Sequence, residues 1–363
     1  MSDILISVIV SAYNVEEYIE DVLNDIRDQT YRNLEIIVVD DGSTDNTLSI
    51  IRNIAMIDKR IRFTCINNSG VSKARNIGLE MATGEFVRFI DGDDRMPRDS
   101  IERMFFPYSI YEDIDLVIGN YICIPARNYI TGIEFDSEVV GQEKFVMLFA
   151  KYVKSYYFGV TWNKLYRRSI IEQYQLIFDE RLPWCEDFVF NVDYYSKCSS
   201  FYLLNVHSGI YDYYMREGSV TKINEGRCRD ERDEYISNIR YKKMIEYCKR
   251  YCDEDVLTLE WKYAELINIL SDISSVKNRG KSYWERYKEF KQMLQLEEVF
   301  RYVSMKENND KSIVWRTLKK AIERKSYLRV YTLFWGKGIV KTYPLFNNKW
   351  IRERFRFLFP KSF

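Results

Sequence analysis

One histidine, His207, serves the whole of a 363-residue chain. Chemistry that needs two or more imidazoles, HExxH zinc hydrolysis among it, is excluded, and any general base is expected to be a carboxylate. Cysteine is sparse and scattered: Cys65, Cys123, Cys185, Cys198, Cys228, Cys248 and Cys252 are odd in number and form no CxxC pair. That distribution points to reduced thiols in a cytosolic protein and away from a disulfide framework or a zinc site. No apolar run approaches the roughly 20 residues that span a bilayer. The opening segment MSDILISVIVSAYN has no basic stretch ahead of its apolar residues, so it reads as a β-strand and not as a secretory signal. Internal repeats and low-complexity tracts are also lacking. What is present is a composition 46% hydrophobic and 30% charged, which excludes disorder and supplies enough apolar mass for a core. The length suggests two or three structural regions.

Net charge is zero, with 54 basic and 54 acidic side chains, but the balance is uneven along the chain. Residues 311–363 hold 14 Lys and Arg against Glu323 and Glu353, a net +12, so the remainder carries −12. The same tail has twelve aromatics, among them Trp315, Phe334, Trp335, Trp350, Phe355, Phe357 and Phe359. Cations interleaved with aromatic rings suit an anionic membrane surface, where charges meet headgroups and rings sit at the interface. A helical subdomain with aromatic core and solvated lysines is the plainer alternative. Nucleic acid, the third candidate for a basic surface, is the least favoured, and no nucleic-acid partner is expected.

The first 120 residues alternate between two periodicities. Apolar β-branched runs fall at 5–11, 34–40, 61–66, 86–90 and 116–118, with helical patterns at 16–28, 44–57, 71–82 and 98–111. Near-continuous Val/Ile strands separated by helices predict an α/β fold with a parallel sheet covered on both faces. From 140 to 222 helices are expected at 142–152, 162–172 and 186–196, with short strands at 201–204 and 210–215. From 227 onward the pattern is helical: Ile236, Ile239, Ile245, Cys248 and Cys252 share one spacing, and Trp261, Ala264, Ile267, Leu270 and Ile273 another. Those stripes read as core.

Polar residues follow four of the strands. In open α/β sheets ligands bind outside the carboxyl ends of strands, so these four segments are expected to converge on one rim. Asp91-Gly92-Asp93-Asp94 puts three mutually repelling carboxylates in four residues; a hard divalent cation would relieve that cost, and Gly92 permits close backbone approach. An Asp- and Gly-rich turn with no ligand is the alternative. Asp40 and Asp41 end the second strand and are suited to accept hydrogen bonds from a base edge or a ribose; Ser43, Thr44 or Asp45 is suited to cap the following helix. Asn67-Asn68-Ser69-Gly70 leads into Val71-Ser72-Lys73-Ala74-Arg75, where Lys73 and Arg75 lie in the first turns of a helix. A diphosphate is well served there by the helix dipole and a cationic fork; a solvated helix charge is the alternative for Arg75.

The succession Ser7-Val8-Ile9-Val10-Ser11-Ala12-Tyr13-Asn14, Val39-Asp40-Asp41-Gly42-Ser43-Thr44-Asp45, Ser72-Lys73-Ala74-Arg75-Asn76-Ile77-Gly78 and Asp91-Gly92-Asp93-Asp94 resembles a family 2 glycosyltransferase with the GT-A fold, of the bacterial capsular or exopolysaccharide type. Trp162-Asn163-Lys164-Leu165-Tyr166-Arg167-Arg168 and Glu186-Asp187 agree with it. The resemblance covers roughly residues 5–220. It implies a doubly wound mixed sheet with a Rossmann-like nucleotide-binding half over residues 1–222, followed by a helical C-terminal region, 223–363. It also implies inverting transfer of a sugar from a nucleotide diphosphate donor, commonly UDP-linked. By similarity Tyr13 lies against the uracil and Asp41 bonds its edge. Arg75 and Asp91 hold the ribose and diphosphate, and Asp93 ligates Mn2+ or Mg2+. Ala12, Asn68, Lys73 and Gly92 complete the donor-binding set. Asp187 is the catalytic base, with Glu186 the neighbouring alternative, and Arg216 and Ser219 belong to a segment that closes over the donor phosphates.

Two other readings compete. A nucleotidyltransferase also presents aspartates and a metal at a sheet rim, but its Gly-rich basic loop after the first strand is absent from Ser11-Ala12-Tyr13-Asn14-Val15-Glu16-Glu17. A non-catalytic, membrane-associated assembly partner would keep the fold without turnover. The favoured expectation is a cytoplasmic enzyme, peripheral at the inner face of the membrane. Its acceptor would be a saccharide or lipid-linked saccharide in surface-glycan synthesis, and the helical region is a candidate for homo-oligomerisation. Cys185, beside the acidic pair, has two readings: a residue that only packs, or one that makes the enzyme sensitive to thiol reagents.

Overall fold

The structure is a computed structural model that describes residues 4–124, 128–129, 136–153, 155–205, 209–214, 216, 231–254, 257–258, 261, 282–295, 320, 323–328 and 331–332. Its centre is an eight-stranded sheet. In chain order the first four strands are β1 (Ile6–Ala12), β2 (Leu34–Asp40), β3 (Ile61–Cys65) and β4 (Phe86–Asp91), and each is followed by a helix: α1 (Ile19–Arg27), α2 (Thr47–Ile57), α3 (Val71–Met81) and α4 (Ser100–Ile110). These strands pair in parallel, and β2 is buried along its whole length. A strand with helices on both faces has no solvent side, which is why its sequence is an unbroken Leu-Glu-Ile-Ile-Val-Val-Asp run and not an alternation. In α1, Ile19, Val22, Leu23 and Ile26 form the buried stripe, the i, i+3, i+4, i+7 spacing of a helix laid on a sheet.

Beyond these come β5 (Leu116–Gly119), β6 (Ile122–Ile124), β7 (Asn128–Tyr129), β8 (Glu138–Gly141), α5 (Gln142–Lys151), α6 (Tyr156–Gly159), β9 (Lys164–Arg167), α7 (Arg168–Gln173), α8 (Glu186–Tyr195), β10 (Ser200–Leu204) and β11 (Asp212–Tyr214). The large sheet runs β3-β2-β1-β4-β9-β5-β10-β8, and a second sheet runs β11-β6-β7. The sheet is mixed: β9 lies antiparallel between β4 and β5. The helix expected over 162–172 is thus a strand followed by a short helix. Insertion between two strands buries Leu165 and Tyr166 completely, and that tertiary burial outweighs the helical propensity of the segment. The short strands β6, β7 and β8 were not anticipated either.

Glu35 on β2 holds the amino-terminal edge of the sheet. One carboxylate oxygen accepts from Ser7 Oγ at 2.6 Å, Thr83 N at 2.6 Å and Gly84 N at 2.9 Å. These bonds pull the turn before β4 against β1, and a Cβ on Gly84 would sit 2.7 Å from Leu5 O, Ser7 N and Ser7 Oγ. Two of those atoms are backbone, Ser7 N in β1 and Leu5 O directly before it, and yield little. Gly84→Ala is expected to destabilise the fold by about 1–3 kcal/mol, as overpacking does, read as a lowered urea midpoint at unchanged m-value.

The chain divides into two compact units, one of residues 1–215 with 236–252, the other of residues 216–235 with 253–363. The first therefore includes a segment beyond 222. It is the greater part of α9 (Glu231–Cys248), whose Ile236 packs with Leu182 and Val189. Tyr247 meets Phe149 at 5.6 Å between ring centroids, and Lys243 pairs with Asp193 at 2.5 Å. Within the second unit, α10 (Tyr283–Leu294) presents Tyr283, Tyr287 and Phe290 to the buried ring of Tyr331. Most of the basic aromatic tail, 311–363, lies outside the described residues. No helix among the described residues is long and apolar enough to cross a membrane.

Candidate active site

The register of the sheet brings the polar segments together. Ala12, the last residue of β1, pairs with Asp40, and Ser11 pairs with Asp91. The ends of β2, β1 and β4 thus stand side by side, each about 4.8 Å from the next. The loops after β1 and β2 are fastened to each other. Asn14, at φ 49°, accepts from Thr44 N at 2.8 Å and donates its own amide to Ser43 Oγ at 2.9 Å. Asp45 takes the amides of Thr47 and Glu16, and this bonding holds its carboxyl below the usual range against the opposing effect of burial. The turn so formed leaves Tyr13 44% exposed at the rim.

Asp41 is buried, and both its oxygens are used: Oδ1 accepts from Ser69 N at 2.7 Å and Oδ2 from Gly70 N at 2.9 Å. Gly70 has φ +92°, a backbone conformation that favours glycine, and it directly precedes α3. Asp41 therefore fixes where α3 begins and so where Arg75 stands. Asn68 lies exposed on the same loop. On α3, Asn76 exchanges hydrogen bonds with the backbone of Phe178, at 2.8 and 2.9 Å. The Phe178 ring lies under the Arg75 guanidinium at 5.4 Å and stacks on Phe190.

Arg75 is the centre of the site. Its Nη1 donates to Glu186 Oε1 at 2.9 Å and to Asp187 Oδ1 at 2.5 Å, and its Nη2 donates to Asp91 Oδ1 at 2.9 Å. Burial works against the charge of this guanidinium, but the three carboxylates outweigh it and keep the arginine protonated. Three carboxylates around one cation leave an excess of negative charge. Asp187, with 18% of its side chain exposed, bears the consequence. Burial pushes its carboxyl above the ordinary range; Arg75 pulls it down, and repulsion from Glu186 and Asp91 adds to the rise. Its Oδ2 accepts from Thr161 Oγ1 at 3.4 Å. Glu186 and Asp187 open α8, where the helix dipole favours negative charge.

The acidic turn after β4 divides three ways. Asp91 faces Arg75. Asp94 is buried, with Oδ2 accepting from Tyr211 OH at 2.9 Å and Oδ1 from Tyr214 N at 2.8 Å. Burial, then repulsion by Asp93 and Asp91, raises its carboxyl well above the ordinary range. Asp93 stays half-buried on the turn. The Gly92 amide donates to Ser11 O at 3.0 Å, and a Cβ there would lie 2.9 Å from that carbonyl, so the turn is drawn onto the end of β1. No group of three or more His, Cys, Asp or Glu suited to a metal is found among the described residues. A divalent cation that keeps waters and takes substrate phosphates as further ligands needs one or two carboxylates, and Asp93 at this rim fits that requirement.

Lys73, two residues from Arg75, turns away and pairs with Glu180 at 3.2 Å. Arg216 falls in the second compact unit, and Ser219 and His207 lie outside the described residues. Cys185 occupies the left-handed region at φ 73°, and burial pushes its thiol up to about 12. A thiol so rarely ionised is a poor nucleophile, which favours the packing role of Cys185 over thiol sensitivity. Tyr211, Trp162 and Thr161 were missed as site residues. Tyr211 takes the Asp91 amide at 3.2 Å on its hydroxyl oxygen and stacks on Trp162 at 4.4 Å. Its separation from Asp91 by 120 residues left no spacing to read.

S. aureus TarS 1–349 in complex with UDP-GlcNAc superimposes with a TM-score of 0.63 over 93% of both chains at 19% identity, a likeness of fold. The architecture is that of the GT-A glycosyltransferases. Residues 7–175, just under half of the chain, match the family described as Glycosyl transferase family 2. EpsH of Bacillus subtilis (strain 168) is 36% identical over 228 residues, 60% of this chain and 62% of that protein. Glycosyltransferase GlyA of Streptococcus pneumoniae is 34% identical over 226 residues, 60% of this chain and 32% of that one. The UDP-Glc:alpha-D-GlcNAc-diphosphoundecaprenol beta-1,3-glucosyltransferase WfaP of Escherichia coli is 38% identical over 139 residues, 34% of this chain and 54% of that one. The matches thus span less than two thirds of these relatives.

Proposed function

We propose that this protein transfers a sugar, with inversion, from a UDP-sugar to a saccharide or lipid-linked saccharide during surface-polysaccharide synthesis. The observation that carries the reading is the convergence of Asp91, Glu186 and Asp187 on Arg75 beside the strand ends that bear Tyr13 and Asp41. Tyr13 offers a ring to the uracil, and Asp41, whose oxygens each keep a second lone pair beside the Ser69 and Gly70 amides, accepts from its edge. Asp187 takes the proton of the acceptor hydroxyl as that oxygen attacks the anomeric carbon and the bond to the UDP β-phosphate breaks. A carboxylate raised by burial is a stronger base than an exposed one. Arg75 holds Asp187 and Asp91 in place and adds a cation near the departing diphosphate. Asp93 is the residue assigned to the metal; the chemistry supplied there by Mn2+ or Mg2+ is Lewis-acid stabilisation of charge on the leaving diphosphate. WfaP uses, by its name, a diphosphoundecaprenol-linked acceptor, which supports a lipid-linked acceptor and, with the basic aromatic tail 311–363, a peripheral position at the inner membrane face.

The test is a donor screen with UDP-glucose, UDP-galactose, UDP-N-acetylglucosamine and UDP-N-acetylgalactosamine, with Mn2+ or EDTA, recording UDP release. Metal-dependent turnover of one donor, abolished by EDTA and reduced at least ~100-fold in Asp93→Asn, is the expected result. Failure of the protein to bind UDP in calorimetry would overturn the reading.

A further inference from the structure

Lys164 is the first residue of β9 and is completely buried. Its Nζ donates to Tyr157 O at 3.1 Å, to Asn163 Oδ1 at 2.8 Å and to Val160 O. An ammonium has three N–H donors for three acceptors. A neutral amine has two, and would set its lone pair against one of those oxygens. Burial lowers the pKa of this lysine well below the ordinary value, and the three acceptors favour the charged form against it. None of the three acceptors is a carboxylate, so the charge is not neutralised where it is bonded. The carboxylate whose field it feels is Asp187.

A second, geometric link joins the same two residues. The Lys164 amide donates to Thr161 O at 3.2 Å, while its Nζ bonds the carbonyl of Val160. Lys164 thus grips the turn on both sides of Thr161, the residue whose hydroxyl reaches Asp187 Oδ2. The turn is braced further by Asn163, which donates to Gly119 O and Tyr157 O, and by Asn191, which donates to Gly159 O and Val160 O. Asp187 is faced by Arg75 from α3, Asp91 from β4, Glu186 from its own helix, and Thr161 and Tyr166 from the β9 side. Arg75 alone leaves three carboxylates against one cation; Lys164 supplies the second.

We propose that Lys164 is a positioning residue for the transfer reaction: its buried ammonium favours the ionised form of Asp187 and, through the 160–164 turn, holds the Thr161 hydroxyl on that carboxylate. This rests on the reading of Asp187 as the base. The pairing itself is testable without a substrate. Melting temperatures of the full-length protein, Lys164→Met, Asp187→Asn and the double variant form a cycle, run at about pH 9 and at about pH 5 to ionise and neutralise Asp187. At the higher pH, Lys164→Met is expected to lower Tm by at least ~3 °C more in the wild-type background than in the Asp187→Asn background. At the lower pH that difference should vanish. Additive losses at both pH values would overturn the proposal. Where Lys164→Met fails to fold, the same cycle with Thr161→Val tests the other arm, and additivity there overturns it equally. In turnover, the midpoint of the acid limb of kcat should rise by about one pH unit in Lys164→Met, with donor KM little changed; an unmoved limb in a folded variant counts against a catalytic role. Full turnover in Asp187→Asn alongside a coupled cycle would leave the pairing intact and remove the base reading instead.

Discussion

Asp187→Asn is expected to cut turnover about a thousandfold, within the range that a positioned general base contributes, while calorimetric affinity for UDP stays within a few-fold. The amide keeps the size of the side chain and its place beside Arg75 but cannot take a proton. The same assignment fixes the pH profile. A base works when ionised, so kcat must fall as pH drops through its pKa. Burial, opposed by Arg75 and reinforced by Glu186 and Asp91, pushes that pKa from the ordinary 3.8 up to about 8. The acid limb should therefore lie near that value, well above the range of an exposed aspartate. A limb at the ordinary carboxylate value, or undiminished turnover in Asp187→Asn, would move the base to Glu186 or elsewhere.

Arg75→Met carries the largest expected cost in stability. The substitution fits the volume but leaves Asp91, Glu186 and Asp187 facing one another with their shared cation gone. Removing one partner from a buried ion cluster destabilises by about 3–5 kcal/mol, and Arg75 is 5% exposed, so solvent screens little of it. Urea denaturation is the measurement. Two internal checks follow from the cause. Asp187→Asn in the same chain should recover part of the loss, because one negative charge fewer remains. The deficit should also shrink as pH falls, since protonated carboxylates no longer repel. A deficit independent of both would mean that Arg75 matters for its packing on Phe178 and not for its charge.

The order of these elements was legible in the sequence because each depends on neighbours along the chain. The Val/Ile run 34–40 is β2 itself, Leu34–Asp40. The helix expected at 71–82 is α3, Val71–Met81, and that expected at 186–196 is α8, Glu186–Tyr195. Polar residues at strand ends pointed to the rim without any distance being known. Where the reading failed, the deciding energy came from elsewhere in the chain. Lys164–Arg167 pairs with strands formed by 86–91 and 116–119, and no local pattern announces such an insertion.

The contrast between Lys73 and Arg75 draws the same line within one helix. Two positions on an α-helix differ by about 200°, so the sequence alone puts these two cations on different faces. Which face is inward is decided by packing. Asn76 docks the 178–180 segment over α3, so that Phe178, backed by Phe190, covers Arg75 while Lys73 pairs with Glu180. Hydrophobic periodicity, strand ends and motif order are local properties, set by residues close together along the chain. The gathering of Asp91, Glu186, Asp187 and Lys164 from distant segments is not local. It follows from strand order and burial, which bring opposite charges within a few ångströms in a medium that screens them weakly.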